Sequence, residues 1–175
     1  DPLDLPYNFI QWVHRSTRGW SYGNSIVDPR TGEILKGHVT LGSLRVRQDY
    51  LIAEGLLAPY ESGRPVNPEM ERMALARLRQ LSAHEVGHTL GLQHNFAASV
   101  SDRASVMDYP HPLIGLLASG SGLDLSNAYT EGVGEWDKAA ITWGYSQFGS
   151  QEAEPKGLQQ LLARSRSRGL RFIAD

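Results

Sequence analysis

His84-Glu85-Val86-Gly87-His88-Thr89-Leu90-Gly91-Leu92-Gln93-His94 is the stretch from which the rest of the chain is read. Residues four apart on a helix share a face, about 6 Å apart along the axis. His84 and His88 can therefore aim two imidazoles at one metal ion, at about 2.0–2.1 Å if that ion is zinc. Glu85 lies beside His84, where its carboxylate can reach a water at the metal without ligating the metal itself. On a continued helix His94 would lie about 15 Å further along the axis than His84, too far to share the ion. The chain must turn back, and Gly91 permits it, because glycine takes the left-handed conformation that ends helices. The stretch specifies a helix, a sharp stop and a returning third ligand.

The competing reading is a helix whose histidines are ordinary surface or core residues. A His-Glu-x-x-His pattern arises by chance in roughly a few per thousand chains of this length, and the glycine and third histidine at fixed offsets lower that about a thousandfold.

The 175 residues suit one domain with a sizeable core. A formal charge of −2 gives no electrostatic reason to expect nucleic acid or an anionic membrane as partner. The longest apolar runs fall far short of a membrane span. There is no cysteine, so a zinc ion would be held by His, Asp or Glu and not by thiolates. The chain starts at Asp1 without a methionine or a signal-like segment, and is expected to be a piece of a longer polypeptide with flanking domains.

Tyr7 to Val13 is apolar and aromatic enough for a strand, with a short helix as the alternative. Gly19 to Asn24 reads as a loop. Ser25-Ile26-Val27 and Glu33-Ile34-Leu35 flank Asp28-Pro29-Arg30-Thr31-Gly32, which suits a hairpin connection. Val39 and Leu41 alternate at odd positions, Leu44 and Val46 at even ones. That slip at Gly42-Ser43 predicts a bulged edge strand with Arg45 and Arg47 on its other face, or else two short strands. A short helix followed by loop is expected within Leu51 to Arg64. Asn67-Pro68-Glu69 is a helix start: a capping side chain, a proline in the first turn, and an acid near the positive end. Met70, Met73, Ala74, Leu78 and Leu81 then recur at helical spacing, predicting a helix from about Pro68 to Leu90 with one side packed under a sheet. Further helices are expected over Glu131 to Trp143, stopped by Gly144, and over Pro155 to Arg166, with Leu158, Leu161 and Leu162 inward.

The span His84 to His94 resembles the extended zinc signature HExxHxxGxxH of the metzincin metallopeptidases. Ser105-Val106-Met107-Asp108-Tyr109 is similar to their Met-turn, in the form that astacins and serralysins carry. Asp137 to Tyr145 resembles the C-terminal helix of serralysins and matrixins, which an aspartate starts beneath the Met-turn. With the Asp28 to Leu35 hairpin, the set looks most like the large bacterial Met-zincins, over roughly residues 7 to 148. Two positions depart from the pattern: Asn95 where astacins carry Glu, and Asp108 where His or Ser is usual.

The resemblance implies one catalytic zinc on His84, His88 and His94 with water in fourth position, Glu85 as the general base, and Met107 as an apolar floor under the ligands. It implies that the Tyr109 phenol could ligate zinc at rest and swing to the oxyanion during turnover. Gly91 and Asp137 are structural supports, the first by backbone geometry, the second as a buried acceptor near the Met-turn. His14, His38 and His111 lack ligand spacing, although Pro110 to Leu113 falls where metzincins build the wall of a substrate pocket. The Val39 to Arg47 strand is the candidate rail for an extended peptide.

The expectation is thus an α/β (α+β) metzincin catalytic domain: a mixed twisted sheet, a long active-site helix, a Met-turn and a C-terminal helix. Residues 1–175 form one domain, with an upper subdomain of about 1–91 and a lower one of about 92–175. Its function would be zinc-dependent hydrolysis of polypeptide substrates. A zinc amidase acting on cell-wall peptide, or a catalytically retired zinc-stabilised peptide-binding module, are the alternatives. The resemblance places it outside the cytoplasm, secreted or in the periplasm or cell envelope.

Overall fold

The computed structural model describes residues 4–17, 19–57, 63 and 65–175. Among the described residues the protein is a mixed α+β structure with four α-helices and small sheets. Strands β1 (Phe9–Val13), β2 (Tyr22–Val27) and β3 (Ile34–Gly42) form a sheet in the order β1-β3-β2. β1 runs parallel to β3, and β2 antiparallel to it. The predicted β2–β3 hairpin forms: the Asp28 amide donates to the Glu33 carbonyl at 2.9 Å, and Asp28 also takes the Arg30 amide at 2.9 Å. β2 begins at Tyr22, inside the stretch expected to be loop, because Tyr22, Gly23 and Asn24 pair with Thr40, Val39 and His38.

The expected bulged edge strand is not formed. β3 ends at Gly42 and helix α1 (Ser43–Leu57) starts at the next residue. The change of parity at Gly42-Ser43 marks a change from a period of two to a period of 3.6. Val46, Asp49, Tyr50, Ala53 and Leu57 make the inward stripe of α1. The buried Asp49 interrupts its apolar pattern and hides the helix from a hydrophobicity reading. Arg45 answers that carboxylate from one turn earlier through two hydrogen bonds of 2.9 and 3.1 Å. β3 is also not an edge, since it is paired on both sides. Residues 58–62 and 64, where the loop before the next helix was expected, lie outside the described set.

Helix α2 (Pro68–Thr89) follows the sequence expectation closely. The Asn67 side chain accepts the Glu69 amide at 2.9 Å, and Glu69 and Glu71 sit in the positive first turn. Met70 and Met73 are buried with Ala53, Leu125, Ala128 and Tyr129 in one cluster. Each such methionine contributes about 1.5–3 kcal/mol by leaving water. A tiny hairpin, β4 (Gly115–Leu116) with β5 (Leu123–Asp124), precedes the last three of these residues.

Helix α3 (Glu135–Tyr145) starts four residues later than expected and runs past Gly144. Helix α4 (Glu154–Ser167) carries Leu158 and Leu161 half-buried but leaves Leu162 exposed, against the inward placement expected for it.

The chain groups into two compact units, 1–91 with 111–132, and 92–110 with 133–175. Segment 111–132 joins the first unit, where the sequence expectation had put it in the second. Leu125, Ala128 and Tyr129 explain this, because their apolar surface is buried on Met70 and Met73. Among the described residues, no helix is long and apolar enough to cross a membrane.

Candidate metal centre

The inward face of α2 changes character along its length. Met70, Met73, Ala74 and Leu81 are apolar, while Arg77, Gln80, His84 and Glu85 are polar and equally buried. Burying polar groups is unfavourable unless they are paired, so the second half of this face is a built polar site. Burial pushes the Arg77 guanidinium below its ordinary value, and Arg45 nearby acts in the same direction. Tyr129, Asp49 and Glu85 act against it. Arg77 also lies over the Tyr129 ring, 5.4 Å from its centre. Arg77 and Gln80 were not singled out from the sequence. Extending the Met70–Met73 stripe by whole turns to His84 would have found both.

β2 presses closely on this helix. A Cβ built on Gly23 would stand 1.9 Å from the Glu85 carbonyl oxygen, so glycine is required for the approach. Thr89 closes α2, Gly91 takes φ +83°, and the Gly91 amide donates to the His88 carbonyl at 3.0 Å. This is the left-handed stop that the stretch demanded.

The imidazoles of His84 and His88 stand with Nε2 atoms 3.1 Å apart and rings perpendicular. Two nitrogens bound to one zinc at a tetrahedral angle lie roughly 3.3–3.4 Å apart, from zinc–nitrogen distances of about 2.0–2.1 Å. His94, just past the stop, completes the set: the ligand atoms of all three histidines lie within 4.8 Å of one another. Three converging neutral imidazoles suit zinc, and the pair spacing fits it.

Around His94 the 92–110 segment is densely tied. The Tyr109 hydroxyl lies 2.9 Å from His94 Nε2, and the two rings are 4.7 Å apart. Phe96 stacks on the His94 ring at 5.4 Å. Met107 is fully buried, and its carbonyl accepts the Asn95 amide at 2.9 Å. Asp137, buried in the first turn of α3, takes the Val106 amide at 2.8 Å, the Ser105 hydroxyl at 2.5 Å and the Gly134 amide at 2.7 Å. Ser105 Oγ in turn accepts the Met107 amide at 2.9 Å. One carboxylate thus fixes both the turn at Met107 and the start of α3, which is why that helix begins at Glu135 and not earlier. Asp108, the unusual residue of the turn, accepts the Ser99 amide at 3.0 Å and the Tyr109 amide at 2.7 Å.

The remaining histidines do not join the cluster. His14 lies against Trp12, His38 against Phe9, and exposed His111 donates through Nδ1 to the Pro112 carbonyl at 3.2 Å. Two further residues near the site escape a reading of the sequence: Asn95, which stands out there only as a departure, and Asp175, whose carboxylate lies 3.1 Å from His94 Nδ1. No local spacing signals a contact between positions 81 residues apart.

A long helix ending in a glycine stop, with three histidines gathered at that end, defines an α+β protein with a histidine cluster that could hold a metal ion. A family model described as Met-zincin matches residues 66–175. The chain belongs to the Met-zincin family. Comparisons with curated proteins and with solved structures gave no match.

Proposed function

We propose that this protein is a zinc-dependent endopeptidase, and the observation that carries the reading is the convergence of His84, His88 and His94, with the buried Glu85 next to His84 in the chain. The three imidazoles would hold the ion, and no carboxylate joins them among the described residues. A zinc ion held there would lower the pKa of a water towards about 7 and polarise a substrate carbonyl. Glu85 takes the proton from the attacking water on its carboxylate and delivers it to the leaving amine. Arg77 is buried on the same helix face, and the Glu85 carboxylate attracts its guanidinium electrostatically, against the effect of burial.

Tyr109 is suited to a second role. The residue is 60 % exposed, yet its hydroxyl is held at His94 Nε2, so the phenol can leave that position without unpacking a core. We assign it to donate a hydrogen bond to the oxyanion as the carbonyl is attacked. Tyr109→Phe is expected to lower kcat by up to roughly a hundredfold with KM little changed. An effect on KM alone would leave the tyrosine a binding or packing role.

The peptide rail moves from β3 to β2. β3 is enclosed by two partners, whereas β2 borders the sheet and meets α2 at Glu85 through Gly23. An extended substrate added along β2 would gain main-chain hydrogen bonds regardless of its side chains. The test is purified protein analysed for metal and offered an unfolded protein such as casein. About one zinc per chain and cleavage that chelation abolishes and zinc restores are expected. Zinc-replete protein inert towards a broad peptide library would favour a peptide-binding module instead.

A further inference from the structure

We propose that Asp175 is a positioning residue for the third metal ligand, an inference that rests on the zinc reading of His94. An imidazole that gives Nε2 to a metal must carry its proton on Nδ1, and an acceptor at Nδ1 fixes both the tautomer and the ring plane. Asp175 Oδ2 stands 3.1 Å from His94 Nδ1, while the other ring nitrogen points to the Tyr109 hydroxyl.

The carboxylate is delivered there by a built connection. Asn95, wholly buried and adjacent to His94, donates from Nδ2 to the Arg171 carbonyl at 2.9 Å and accepts the Ile173 amide on Oδ1 at 3.1 Å. The Phe96 amide donates to the Ile173 carbonyl at 2.9 Å. Stacking of Phe172 on Trp136, with ring centres 5.5 Å apart and nearly parallel planes, holds the same segment on α3. These contacts bind residues 171–173 to the backbone immediately after the ligand, which sets Asp175 beside its ring. The departure at position 95 thereby acquires a reason: an amide can both donate to one backbone group and accept from another, and a carboxylate at neutral pH cannot.

The experiment measures zinc affinity by competition with a chromophoric chelator for wild type, Asp175→Ala and Asp175→Asn. It is paired with nuclear magnetic resonance of the histidine ring protons in the zinc-loaded chain. The Asp175 side chain is 64 % exposed, so its truncation opens no core void, and Asp175→Asn preserves its shape. Asp175→Ala is expected to weaken zinc binding by about 10–100-fold and to abolish the hydrogen-bonded Nδ1 proton signal of His94. Asp175→Asn should lose less, because its amide oxygen still accepts that proton without the charge. Wild-type affinity in Asp175→Ala, with the Nδ1 proton signal unchanged, overturns the proposal. A wild-type chain that takes up no zinc overturns the metal reading itself, and this proposal with it.

Discussion

Glu85→Gln is expected to retain zinc at wild-type stoichiometry and to lose about 10²–10⁴-fold in kcat, or roughly 3–5 kcal/mol of transition-state stabilisation. The substitution exchanges one carboxylate oxygen for an amide at nearly constant shape. Glutamine cannot accept a proton at neutral pH, so the water keeps its proton and the leaving amine receives none. Metal should be retained because the proposed ligand set consists of His84, His88 and His94. Glu85 is 4 % exposed, and the neutral replacement removes its electrostatic attraction for the buried Arg77. Any stability change must therefore be read separately, by thermal melting of the metal-free chain. Metal content and initial rates on a peptide substrate decide the matter. Unchanged rates would remove Glu85 from the mechanism, and loss of zinc would make it part of the ligand set.

Asp137→Ala should produce the largest loss of stability, about 3–5 kcal/mol, seen as a fall in melting temperature on the order of 10 °C. The reason lies in what the carboxylate leaves behind. Two backbone amides, of Val106 and Gly134, and the Ser105 hydroxyl all donate to it, and Asp137 is 3 % exposed. Water cannot readily replace the lost acceptor at a buried site, so each donor retains part of its desolvation penalty. The consequence reaches the metal ligands through Ser105. Its hydroxyl orients the Met107 amide, the Met107 carbonyl holds the Asn95 amide, and Asn95 follows His94. Zinc affinity should fall together with stability. Asp137→Asn tests the charge at constant shape, because one of its two acceptor oxygens becomes an NH₂ group facing donors. Wild-type melting in both variants would reduce Asp137 to an ordinary helix-start residue.

The contrast between α1 and α2 shows how far a sequence carries its own fold. In α2 each local signal agrees: the Asn67 cap, Pro68 in the first turn, methionines at helical spacing and a glycine after the last turn. In α1 the signals conflict. Leu44 and Val46 continue an alternation begun in β3, and the inward stripe includes Asp49, a charge that reads as surface. Asp49 is nevertheless buried because Arg45 lies one turn away and neutralises it. Burial itself still pushes its carboxyl above the usual range, and the nearby Arg45 and Arg77 work against that shift. Pairing and burial of that kind depend on the folded neighbourhood, which hydrophobic periodicity cannot register.

The metal centre divides in the same way. The histidine cluster could be read because the geometry joining its members is local: a helical turn sets the distance from His84 to His88, and a left-handed glycine sets the return to His94. Asp137, Met107 and Tyr109 are singled out by resemblance to known turns and not by spacing. Nothing local marks Arg77 beneath Glu85, β2 in place of β3 at the border of the sheet, or Asp175 at His94 Nδ1. Each of these is a contact across many residues, formed only when separate elements pack. The spacing of three histidines and a glycine within eleven consecutive residues was enough to predict the cluster that the fold gathers. Which strand borders that site, and which side chains hold its ligands in place, was decided by tertiary packing, because pairing and burial are properties of the assembled chain.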